Sequence, residues 1–357
     1  MTLNLNRLGN YIEENNNRNS DLSLPLDKVR GISNTKEIML TKARVQYADL
    51  KKFYVVNPGE FVFNPRTSRN GEKIGVVYNY TDSALLFTFN DIAFRIKENK
   101  KNELLGEYLY LLMKKESFDR YARYHSWGSA TELFTWDDMC NTIIDVPDFE
   151  IQKRIVKEYN AFSNKIRIES RKIENFKELL IATFNKEFGS KDTNDKLSSI
   201  IIQNKKSKIQ VSSIDKNGKY IFFTSGKKTK RHSEYLVDGL NLFLNTGGTF
   251  DVKIYEGKAS YSTDNWCIHA ADKTLYLFAM FLSDIEKLND KYFDGSALNH
   301  LKKPQIMNMD CYNPSENELE SFNKKATPIV KSILNSFAIV AQLDNALNCI
   351  LNKVYFK

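Results

Sequence analysis

Arg66-Thr67-Ser68-Arg69-Asn70-Gly71-Glu72-Lys73 and Lys227-Lys228-Thr229-Lys230-Arg231-His232 are two short runs dense in arginine, lysine and small polar residues. Each lies as a loop between stretches of strand character. Side chains of these types recognise ordered arrays of acceptors: Arg suits guanine, Asn suits adenine, and Lys mainly neutralises backbone phosphates. The candidate contacts are Arg66, Ser68, Arg69, Asn70 and Lys73 in the first run, and Lys227, Lys228, Lys230, Arg231 and His232 in the second. Most charge runs are solvated loops, so the weight comes from finding one such run in each half of the chain. Two further segments are candidates. Ser129 and Thr131 lie in and after a Gly-Ser-Ala at 128–130, and Asn299, His300, Lys302 and Lys303 follow a second Gly-Ser-Ala at 295–297. Both could enter a groove of a duplex, or form the surface at a helix start.

No constellation for catalysis accompanies them. The Asn-Pro pairs at 57–58, 64–65 and 313–314 are turn and cap signals, without the Asn-Pro-Pro-Tyr or Asp-Pro-Pro-Tyr with which an amino-methyltransferase grips a flipped base. There is no Gly-x-Gly-x-x-Gly and no P-loop. Thr246-Gly247-Gly248 is a short glycine turn, and Gly-Ser-Ala lacks the frame of a nucleophile elbow. No carboxylate cluster followed by Lys marks a nuclease. Cys140, Cys267, Cys311 and Cys349 stand far apart and the four histidines do not cluster, so neither zinc nor a disulfide framework is expected and a reducing cytoplasm fits. Trp127, Trp136 and Trp266 suit core positions better than base-stacking platforms.

The elements that position the two runs come as a repeat. Pro147 follows Gly128 by 19 positions, and Pro314 follows Gly295 by the same 19. Each Gly-Ser-Ala trails an aromatic, charged run, and each Pro opens a long helical pattern. Leu8/Ile12 and Leu197/Ile201 start the two copies. At 357 residues, 42% hydrophobic and 27% charged, the chain can form two domains with proper cores. A net charge of +8 and a pI near 9.0 suit an acidic partner such as nucleic acid, though evenly mixed Lys and Glu would give the same balance. The N-terminus lacks the apolar core of a signal peptide. No run approaches the ~20 apolar residues of a membrane span, so no membrane is expected as a partner.

In the first copy, Phe53 to Asn64 reads as a strand hairpin about Pro58-Gly59, with more strand character at 74–80 and 85–96 and a helix at 104–113. In the second copy, 200–212, 220–224, 240–244 and 252–254 read as strands and 275–288 as a helix. From Asp148, apolar residues at Ile151, Ile155, Tyr159, Phe162, Ile166, Ile173, Phe176 and Leu180 form a heptad-like stripe, a rod of roughly 60 Å that needs a partner helix. The pattern after Pro314 supplies that partner, antiparallel to the first, with Pro328 expected to kink or break it.

These residues together resemble the DNA-specificity subunit of type I restriction–modification systems. The resemblance rests on Leu8-Gly9-Asn10-Tyr11-Ile12, Gly31-Ile32-Ser33, the run 55–61, Gly128-Ser129-Ala130, and Pro147 to Val156. In the second copy it rests on 218–226, Thr246-Gly247-Gly248, the run 293–298 and Pro314. It implies an α/β (α+β) fold with two target-recognition domains joined by long antiparallel coiled-coil-like helices in a pseudo-two-fold arrangement. The boundaries would be 1–147 for the first recognition domain, 148–188 for the central helix, 189–313 for the second domain and 314–357 for the C-terminal helix. The resemblance further implies a non-catalytic subunit that reads a bipartite, asymmetric site on double-stranded DNA, with half-sites about one helical turn (~34 Å) apart. Two methyltransferase subunits would dock on the helices and restriction subunits would join them. S-adenosylmethionine, ATP and magnesium would reside on those partners, and none on this chain. Two other readings stay open: the specificity partner of a type IIB-like enzyme, and a two-headed coiled-coil scaffold that binds protein.

Overall fold

A computed structural model describes residues 4–41, 45–67, 73–126, 132–215, 218–226, 229–294 and 300–353. The chain divides into two units, residues 1–165 with 343–357 and residues 166–342.

The first unit is built on an antiparallel sheet of β1 (Ile12–Glu14), β2 (Phe61–Thr67), β3 (Ile74–Tyr78) and β4 (Ile92–Ile96), in the order β1-β4-β2-β3. Alternate residues Phe61, Phe63 and Phe94 point into one core with Leu109, Leu112 and Phe118. The opposite face buries Val62, Val77 and Ala93 against a second pair of strands, Tyr54–Val56 and Leu85–Phe87. Helices Gly106–Lys114 and Glu116–Ser126 close the first core.

The second unit repeats this plan. Its sheet contains β5 (Ile202–Gln203), β6 (Leu240–Asn245), β7 (Val252–Glu256) and β8 (Asn265–His269), ordered β5-β8-β6-β7. Helices Thr274–Ser283 and Ile285–Tyr292 follow the sheet, as their counterparts do in the first unit. A short strand pair also recurs, Leu5–Arg7 with Ile143–Asp145 and Asp195–Lys196 with Asp310–Cys311. Among the differences between the copies, Tyr54–Val56 and Leu85–Phe87 are antiparallel, whereas Tyr220–Phe223 and Ala259–Tyr261 are parallel.

Two long helices complete the fold, α1 (Phe149–Phe188) and α2 (Glu316–Lys353). Within the second unit they run antiparallel: Glu187 pairs with Lys325, Phe184 meets Phe322, and Glu169 accepts a hydrogen bond of 2.9 Å from the Ser336 hydroxyl. Within the first unit, Ile350 and Leu351 of α2 pack with Ile155, Val156 and Phe162 of α1. The start of α2 is fixed by Glu318, whose carboxylate accepts from the Ser315 backbone and hydroxyl and from the Tyr312 hydroxyl. Those donors hold Glu318 down to a pKa of about 2. By length and composition α2 could cross a bilayer. Instead its Leu319, Phe322, Ala326, Val330 and Ile333 are buried in the core of the second unit.

Several sequence expectations need correction. Pro328 does not break α2, which is helical from end to end. Proline removes one backbone donor, but Ala326 and Val330 on either side are buried, and that packing carries the helix across it. Tyr54–Val56 and Phe61–Thr67 are not a hairpin. The chain turns at Gly59 (φ +85°) and changes sheets, because Glu60 binds back to the Asn57 amide (2.7 Å) and to Asn15 (2.8 Å) rather than continuing a two-strand ladder. The segment 200–212 holds only Ile202–Gln203 as strand, and the helix expected over 275–288 is two helices that meet at Asp284.

Candidate nucleic-acid interface

In the first unit, Arg66 lies near the end of β2, exposed, with its amide bonded to Asn64 Oδ1 at 2.9 Å. It bridges to Leu133, just after the first Gly-Ser-Ala segment, and the Phe134 amide donates to the Pro65 carbonyl at 2.8 Å. The exposed Lys73 immediately precedes β3. Ser68, Arg69, Asn70, Ser129 and Thr131 lie outside the described residues.

Between these segments is a polar cleft of about 380 Å³, lined among others by Arg30, Asn34, Asn64, Arg66, Lys73 and Asp91. Its floor is ordered. Asp91 accepts from Asn64 Nδ2 (2.9 Å) and from the hydroxyl and amide of Thr88 (2.6 and 3.1 Å). Burial nonetheless pushes the Asp91 carboxyl above its usual range, against those hydrogen bonds. Arg30, Asn34, Thr88 and Asp91 were not singled out by sequence. They sit apart along the chain in ordinary-looking turns, and only folding brings them to one cleft.

The second unit has the same corner. Gly247, in the turn between β6 and β7, bridges to His300, and the Leu301 amide donates to the Thr246 carbonyl at 3.0 Å. His300 is exposed at a strand end, Lys302 caps a short helix, and Lys303 is its first residue. The Lys303 ammonium lies over the Trp266 ring at 5.5 Å, and burial, with the like charge of Lys206, lowers its pKa. Trp266 is buried in the core, as expected. Lys227, Lys228 and Asn299 lie outside the described residues.

Lys230, Arg231 and His232 are not loop, as their composition suggested, but a strand paired with Tyr220–Phe223. Ladder bonds and side chains explain this: Arg231 Nη1 donates to the Lys219 carbonyl (2.8 Å), and His232 packs on Phe222 and accepts from the Asp215 amide. The strand also depends on Gly218. A Cβ there would stand 2.0 Å from the His232 carbonyl carbon and 2.4 Å from the Ser233 nitrogen, both backbone atoms. We expect Gly218→Ala to cost about 1–3 kcal/mol and to speed amide exchange in both strands of this pair; unchanged exchange would refute this close approach.

Each unit thus joins the end of its second sheet strand, or the turn just after it, to the segment that follows its Gly-Ser-Ala. Arg66, Lys73 and the amides of Asn34 and Asn64 line the first corner, and His300, Lys302 and Lys303 stand at the second, side chains of the chemistry of phosphate and base contact.

Comparison with known proteins finds three likenesses. The sequence model described as "Type I restriction modification DNA specificity domain" matches residues 10–178. The Escherichia coli type I restriction enzyme EcoDI specificity subunit is 23% identical over 141 residues, 39% of this chain; the chain spans about a third of that relative's length, 32%. The crystal structure of the type I restriction–modification S subunit from M. genitalium superposes with a TM-score of 0.56 at 12% identity, covering 99% of this chain and 96% of that one. Residues 10–178 are therefore similar in sequence to type I restriction–modification DNA specificity domains, and the fold of the chain is similar to that of the M. genitalium S subunit.

Proposed function

We propose that this chain is the sequence-reading, non-catalytic subunit of a type I restriction–modification complex, each unit contacting one part of a bipartite, asymmetric DNA site. The observation that carries this reading is the repeated corner: Arg66 bridged to Leu133 in one unit and Gly247 bridged to His300 in the other, on sheets of identical strand order. Different side chains occupy the two corners, so the two half-sequences differ. Affinity comes mainly from Lys and Arg on phosphates, and preference comes from the turns on base edges. Two methyltransferase subunits, joined by restriction subunits, supply the chemistry in the cytoplasm, with S-adenosylmethionine, ATP and magnesium bound to those partners.

Salt dependence tests the reading. Neutralising Lys227, Lys228, Lys230 and Arg231 together to Gln is expected to flatten the log–log salt slope of duplex binding by about 0.9 for each phosphate that the variant leaves unneutralised. A slope that does not move would take this segment out of the interface.

A further inference from the structure

The backbone entering β3 and the backbone just before β7 are held by the same device, made from different residues. In the first unit, the Ile74 amide at the start of β3 donates to Asp119 Oδ1 at 3.1 Å. Asp119 lies on helix Glu116–Ser126, which leads into the first Gly-Ser-Ala segment. In the second unit, the Phe250 amide, two residues before β7, donates to Asn289 Oδ1 at 2.6 Å, and Asn289 Nδ2 returns to the Phe250 carbonyl at 3.5 Å. Asn289 lies on helix Ile285–Tyr292, which leads into the second Gly-Ser-Ala segment. Both acceptors therefore tie the strand that leaves the turn to the helix that launches the other half of the corner. Ile74 and Phe250 are themselves buried, so moving either backbone position breaks a hydrogen bond that is buried at Ile74 and partly buried at Phe250.

Resting on the function proposed above, we propose that Asn289 and Asp119 are positioning residues, each fixing the turn of its own unit and so setting the base preference for one half of the DNA site. Neither needs to touch DNA. Base readout depends on side chains held within about half an ångström of their partners. Phosphate contacts through long, flexible lysines tolerate more displacement. Loosening a turn therefore erodes preference before it erodes electrostatic affinity.

Asn289 is the better probe, because it is half-buried on a helix surface, whereas Asp119 also holds a buried lysine. The full chain, copurified with its methyltransferase partner, would be incubated with a pool of random-sequence duplexes, and the bound fraction sequenced. The wild type is expected to enrich a split motif. Asn289→Ala should lower enrichment in one half by about tenfold, the discrimination of roughly one good base contact, and leave the other half and the salt slope of binding as they were. Asn289→Asp keeps the acceptor for the Phe250 amide but sets a carboxylate oxygen against the Phe250 and Ile285 carbonyls, so it should restore the weakened half only as pH falls and that oxygen becomes a donor. Undiminished preference in both halves of the alanine variant would overturn the inference. So would loss in both halves, a salt slope that falls with the preference, or an aspartate variant that restores nothing as pH falls. A wild type that enriches no split motif would remove the function proposed above, and this inference with it, so the two failures are distinguishable.

Discussion

Lys36→Met is expected to destabilise the first unit by about 3–5 kcal/mol, the penalty for removing one partner of a buried ion pair. Lys36 Nζ lies 2.8 Å from Asp119 Oδ1, with the two side chains only 4% and 8% exposed. The same ammonium donates to the Met113 carbonyl and lies 5.2 Å from the centre of the Phe118 ring. Methionine fills the space of the lysine stem but leaves the Asp119 carboxylate buried without its cation. If that orphaned charge is the main cost, Lys36→Met with Asp119→Asn should be less destabilised than Lys36→Met alone. Asparagine drops the charge and can still accept from the Ile74 amide. A double variant that is worse by the sum of two independent losses would show that the pair is not coupled. The pH dependence has a definite sign. Burial, only partly offset by Asp119, holds the Lys36 pKa below 10.5. The unfolded chain therefore binds the proton more readily than the native one between those two values. Stability should rise with pH across the window just below 10.5, and the methionine variant should lack that rise. Denaturant titrations followed by amide exchange in residues 30–126 would report both effects.

The parts of this fold that a sequence exposes are those governed by period and by turn chemistry. The stripe from Ile151 to Leu180 shows α1 because a helix repeats its buried face every three to four residues. Leu240–Asn245 and Val252–Glu256 show themselves by short apolar runs between glycine turns. The duplication is visible because both Gly-Ser-Ala segments sit at matching places in the plan. What stays hidden is polar and buried. Gln152 and Glu169 fall in the seams of α1, yet a reading by apolar period passes over them. Lys36 looks like any surface lysine until the turn Ser33–Glu37 folds it over helix Glu116–Ser126. The cleft residues Arg30, Asn34 and Asp91 are not close neighbours in the chain, and no local spacing links them. Basic composition likewise marks Lys230–His232 as a candidate for DNA contact but says nothing of its pairing with Tyr220–Phe223, which is a tertiary property.

Gln152→Ala is expected to lower the stability of the first unit by about 1–3 kcal/mol, since it removes three hydrogen bonds from a fully buried side chain to partly buried backbone groups. Gln152 is 0% exposed. Its Nε2 donates to the carbonyls of Glu103 (2.8 Å) and Pro147 (2.7 Å), and its Oε1 accepts from the Leu105 amide at 2.8 Å. One amide group thereby ties the first turn of α1 to the turn that begins helix Gly106–Lys114, where the Leu105 amide has no partner inside the helix. The arrangement needs one donor pair and one acceptor on a single planar group, and glutamine supplies both. Gln152→Glu has nearly the same shape, yet it should be at least as damaging at neutral pH. It keeps the acceptor for Leu105 but turns a carboxylate oxygen toward two carbonyl oxygens. Protonation converts that oxygen to a donor, so the glutamate variant should recover part of its loss as pH falls, whereas the alanine variant should not. Exchange of the Leu105 amide gives the local readout. Protection in Gln152→Ala equal to that of the wild type would mean that α1 is anchored by its apolar stripe alone.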